Sequence, residues 1–62
     1  MYKVKAMREK LGWSQEKLSE KSGVSRAVIS MLETSDEAKT STGTLLKLAT
    51  AMNCKVADIF IA

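Results

Sequence analysis

Seven carboxylates and one thiol, Cys54, are the groups with which this chain could carry out acid–base or nucleophilic chemistry. There is no His. A His-based triad and a His-ligated metal site are therefore excluded, and a single Cys excludes an intramolecular disulfide. The stretch Gly23-Val24-Ser25-Arg26 lacks the spacing of a phosphate-binding loop, and 62 residues leave no room for a cleft of useful size. We expect no enzyme, no metal and no cofactor. Cys54 reads as a small core residue. The polar residues that stand out are Ser25, Arg26 and Ser30, which flank the apolar positions Val28, Ile29 and Leu32. They give one polar side to a short segment of helical periodicity.

Those side chains need elements to hold them. Val4, Met7 and Leu11 are spaced by three and four, which predicts a first helix over about residues 2–11, with Gly12 as its left-handed terminator. Ser14 is an N-cap for a helix over 15–22, with Glu16 in its first turn and Leu18 inward. Gly23 ends it, and Ser25 caps a third helix over about 26–33. Ser41 caps a fourth, carrying the stripe Leu45, Leu48, Ala49 and Met52, with Asn53 able to end it in the left-handed conformation. A last short helix or turn is expected over 55–60, with Val56, Ile59 and Phe60 inward. β-branched residues are too scattered for a sheet. The expected fold is all-α, five short helices in a single domain over residues 1–62, with no linker and no repeat. Met1 and the complete helical set lead us to expect a whole protein.

Ten Lys and Arg against seven Asp and Glu give a net charge of +3, and the pI is near 9.3. That balance hints at a polyanionic partner without defining one. No apolar run approaches the roughly 20 residues of a membrane span, and no signal peptide is visible. Without a disulfide framework, so small a chain is expected in a reducing cytoplasm.

The segment Gln15–Leu32 has a specific pattern: Leu18 apolar, Ser19 small where two helices would cross, Gly23 at a tight turn, then Val24, Ile29 and Leu32 apolar. A left-handed turn residue and a small crossing residue are what two steeply crossed helices need. With the first-helix run MREKLGWSQEKLSEKSGVSRAVISMLE and the later run STGTLLKLATAMNCKVADIF, nearly the whole chain resembles the phage-repressor and Cro-like, or Xre-type, helix-turn-helix proteins. The resemblance implies a lambda-repressor-like DNA-binding domain, with its motif at about 15–33. It also implies a transcriptional regulator, expected at the nucleoid in the cytoplasm, and we expect no small-molecule effector domain because none fits in the remaining residues.

By the same resemblance, helix 26–33 would lie in the major groove, with Arg26, Ala27, Ser30 and Ser25 toward the bases. Arg26 could pair with a guanine edge, and Ala27 could only touch a thymine methyl. Gln15, at the start of the first motif helix, would contact a phosphate, with Ser14 beside it and Lys39 and Ser41 near the next helix start. The alternative for Gln15 is to cap its own helix. Arg8 and Glu33 would form a structural ion pair between the first and third helices. Trp13 would be internal. The chain departs from the family after the recognition helix, where Thr34-Ser35-Asp36-Glu37-Ala38-Lys39 replaces a basic, Pro-containing segment. Asp36 and Glu37 are expected to turn away from phosphate.

A Cro-like repressor acting by occupancy would bind a pseudo-palindromic operator as a homodimer, and Ile59, Phe60 and Ile61 are its expected interface. The competing expectation is a protein-interaction module on the same fold, such as an antitoxin or co-regulator.

Overall fold

The structure, a computed structural model, describes residues 2–35 and 40–60. The described residues form five helices: α1 (Val4–Lys10), α2 (Gln15–Ser22), α3 (Arg26–Thr34), α4 (Thr42–Ala51) and α5 (Val56–Ile59). The described residues include no strand, only an isolated antiparallel bridge between Tyr2 and Phe60. No helix among them is long and apolar enough to cross a membrane.

The helix boundaries follow from local chemistry. The hydroxyls of Ser14, Ser25 and Ser41 accept the backbone N–H of Lys17, Val28 and Thr44 at 3.0, 3.3 and 3.1 Å. Each satisfies a donor that a helix start leaves without an intrahelical partner. Helix α1 closes at Gly12, φ 73°, whose N–H reaches Glu9 while that of Trp13 reaches Arg8. Helix α4 closes the same way through Asn53, φ 53°, with Asn53 N–H on Thr50 and Cys54 N–H on Ala49. Both are two-bond closures around a left-handed residue.

At the corner between α2 and α3, Gly23 has φ 75° and donates to the Ser19 carbonyl at 2.9 Å. Ser22 braces that corner: its hydroxyl donates to the Leu18 carbonyl and accepts the Val24 N–H.

Two boundaries differ from the sequence expectation. Helix α1 begins at Val4, not at residue 2, because Tyr2 pairs with Phe60 and the Lys3 N–H donates to the Ile59 carbonyl at 2.7 Å. A tertiary contact thus takes residues that periodicity alone would place in the helix. Helix α5 is shorter than the expected segment, at four residues, with Asp58 accepting the Lys55 N–H.

Val4, Leu18, Val24, Ile29, Leu32, Leu45, Leu48, Ala49, Met52 and Ile59 form the buried core. Every helix contributes to it, as does Val24 between α2 and α3. Helix α2 packs on α3 and α4, α1 on α3, and α4 on α5. Trp13 and Cys54 are half-buried against this core.

The core also corrects one expectation. Ile59, expected at a dimer interface, is fully buried within its own chain. The short α5 turns it inward against the other helices, so it offers no surface to a second copy. Phe60 is half-buried, its ring tilted against that of Tyr2 with centroids 5.2 Å apart. Ile61, Asp36, Glu37 and Lys39 lie outside the described residues.

Candidate nucleic-acid interface

The start of α3 is an exposed part of the α2–α3 pair. Ser25, Arg26 and Ala27 are exposed, and Ser30 one turn later is half-buried. Arg26 makes no hydrogen bond or ion pair among the described residues, so its donor fork is available to a planar acceptor. Ser25 is engaged as the cap of α3, but a capping hydroxyl still has its own proton to donate. The same holds for Ser14 at the start of α2. Ser41 caps α4 and also shares a hydrogen bond with the Thr44 hydroxyl at 3.0 Å.

A second cluster joins three segments. Arg8 on α1 meets Glu33 on α3 through two parallel bonds, Nε to Oε2 and Nη2 to Oε1, each 2.9 Å. Its remaining Nη1 donates to the Trp13 carbonyl at 2.7 Å. The Trp13 N–H donates back to the Arg8 carbonyl, so Arg8 holds that residue's backbone from both sides. Gln15, the first residue of α2, donates its Nε2 to Glu33 Oε1 at 3.1 Å. The side chains of Arg8 and Glu33 are 12% and 3% exposed.

Burial by itself would raise the Glu33 carboxyl. The hydrogen bonds from Arg8 and Gln15, with the Arg8 charge, outweigh it and hold the group below its ordinary value. The hydrogen bond to Glu33 raises the Arg8 guanidinium against its own desolvation. Burial, with some contribution from Asp58, pushes the Cys54 thiol up, away from thiolate chemistry.

The structure therefore brings Arg8, Glu33 and Gln15 together and places Ser25, Arg26 and Ala27 side by side at one helix start. Gln15 does not cap its own helix; Ser14 does that. The Gln15–Glu33 bond is the feature that sequence reasoning missed. It joins the first residue of α2 to the last turn of α3, and only the crossing of the two helices creates it. Among the described residues no three His, Cys, Asp or Glu side chains gather as metal ligands would. A recess lined by Lys3, Ala6, Met7, Lys10 and Asp58 includes no residue of α2 or α3.

Two helices packed on each other and joined by a short turn at a left-handed glycine are the arrangement of the helix-turn-helix class. Comparison with known sequences agrees: the helix-turn-helix family model matches residues 4–59. The chain belongs to the helix-turn-helix family. It is similar to YgzD of Bacillus subtilis (strain 168), an uncharacterized HTH-type transcriptional regulator. The two are 40% identical over 58 residues, covering 94% of this chain and 86% of the relative. No solved structure gives a significant match.

Proposed function

We propose that this chain is a sequence-specific double-stranded-DNA-binding transcriptional regulator, a Cro-like repressor that acts by operator occupancy as a homodimer. The observation that carries the reading is the exposed Ser25-Arg26-Ala27 start of α3, set on a helix-turn-helix whose corner at Gly23 is left-handed. Helix α3 enters the major groove and presents Arg26 to a guanine edge, with Ala27 and Ser30 beside it. Gln15, Ser14 and Ser41, with Lys39, contact the backbone. The similarity to a relative named as a transcriptional regulator supports the same role.

One recognition helix covers little DNA, so two copies read half-sites about one helical turn apart. The partly exposed edge of Phe60, with Ile61, is the proposed contact between copies; Ile59 is not part of it. The protein works in the cytoplasm at the nucleoid, without catalysis, metal or effector ligand. Selection of bound sites from random duplex DNA tests this reading. A palindromic preference with guanine at a fixed position, and affinity that falls with salt, is the expected result. Binding without sequence preference and without salt dependence overturns it.

A protein-docking role for the same face is the competing reading. Met31 is 40% exposed on α3 and Ala27 offers no hydrogen bond, which suits an apolar contact. Replacing Arg26 separates the two: DNA affinity falls under the first reading and is unchanged under the second.

A further inference from the structure

We propose that Glu33 is a positioning residue for Gln15 at the DNA backbone, an inference that rests on the DNA-binding reading above. An unrestrained glutamine at a helix start samples several rotamers and loses that freedom when it binds. Gln15 is restrained before any ligand arrives, because its Nε2 lies 3.1 Å from Glu33 Oε1. Glu33 is restrained in turn, because both its oxygens are held by the Arg8 fork at 2.9 Å and its side chain is 3% exposed.

A primary amide carries two N–H donors and an acceptor oxygen. The Glu33 carboxylate takes one N–H and thereby sets the plane of the amide. The second N–H remains for a phosphate oxygen at the half-exposed start of α2. Fixing a contact group in its bound geometry strengthens binding by reducing the ordering cost. A carboxylate close to DNA would ordinarily repel it. Here the Arg8 charge offsets it at contact distance, so Glu33 can orient Gln15 without opposing the phosphate.

The sign of one substitution tests this. Glu33→Gln removes a negative charge and raises the net charge by one above +3. General electrostatics therefore predicts tighter binding to a polyanion. The positioning role predicts weaker binding. The measurement is affinity for a random-sequence duplex pool across a salt series, for the unaltered protein, Gln15→Ala, Glu33→Gln and the double variant, with thermal melts to confirm folding.

Gln15→Ala and Glu33→Gln should each weaken binding by about tenfold or more, as expected for a hydrogen bond to a charged group. Gln15→Ala should leave the salt slope unchanged, because a neutral side chain releases no counterion. Adding Glu33→Gln to Gln15→Ala should cost nothing more. Wild-type or tighter binding by Glu33→Gln, or an equal loss with and without Gln15, overturns the proposal. Where Glu33→Gln does not fold, Glu33→Asp withdraws the carboxylate by one methylene at constant charge and carries the same expectations. If the unaltered protein binds the pool but Gln15→Ala is silent, this inference falls alone. If the unaltered protein does not bind the pool at any salt, the DNA-binding reading falls with it.

Discussion

The Arg8 guanidinium and the Glu33 carboxylate lie edge to edge, with both N–H···O distances at 2.9 Å, although the two residues are 25 positions apart in the chain. Such a pair contributes more to orientation than to net stability, because both groups are desolvated to form it. Its energetics show when one partner is removed.

Arg8→Met leaves Glu33 nearly buried with only Gln15 to serve it. We expect a loss of about 3 kcal/mol, a large share of the stability of so small a domain. Adding Glu33→Leu removes the stranded charge and should restore much of that loss. Thermal or urea melts of the single and double variants measure both effects.

Stability should depend on acid through the same carboxylate. The Glu33 pKa is lowered in the folded chain, so its contribution is present in full above the unfolded value, about 4.3. That contribution is lost as pH falls through the folded value. Chemical unfolding measured from neutral pH down to about 3 should show this decline, and Glu33→Gln should flatten it.

Arg26 is exposed and bonded to nothing among the described residues, so Arg26→Ala should leave the melting temperature unchanged. DNA affinity should fall by about 1–3 kcal/mol, with relaxed preference at one base position. A gel shift on selected sites measures this. Unchanged DNA affinity would favour the protein-docking reading.

Two glycines should respond in opposite directions. Gly23 has φ 75°, which an alanine adopts at a cost of roughly 1–2 kcal/mol, although nothing lies within 4 Å to obstruct its Cβ. Gly23→Ala should destabilise for that reason alone. Gly43 sits in the first turn of α4, where an added Cβ would meet only the Ser41 hydroxyl at 3.8 Å, an ordinary contact. Gly43→Ala should stabilise by about 0.4–1 kcal/mol by restricting the unfolded chain. Paired urea titrations give both signs.

Most of the fold was legible because its signals are local. Ser14, Ser25 and Ser41 cap within three residues, and Gly12, Gly23 and Asn53 each mark a helix end by what their own backbone tolerates. The exposed start of α3 at Arg26 was legible because it depends on one helix. Where two distant segments had to meet, the Arg8–Glu33 pair was foreseen only through the family resemblance, and the other contacts were opaque. Nothing near Gln15 announces Glu33, and nothing near Tyr2 announces Phe60. Ile59 was misread for a related reason: an apolar residue near the end of a chain suggests a surface to be covered, whereas the turn of α5 carries it into the core.

That turn has one more consequence. Lys3 N–H on Ile59, with Tyr2 beside Phe60, latches the segment before α1 to the segment after α5. Chain ends ordinarily fray first and at little cost. Here, peeling either end releases the other and exposes Ile59. The Lys3 amide should therefore exchange with solvent deuterium about as slowly as the amides of the core helices, an outlying residue reporting on global unfolding.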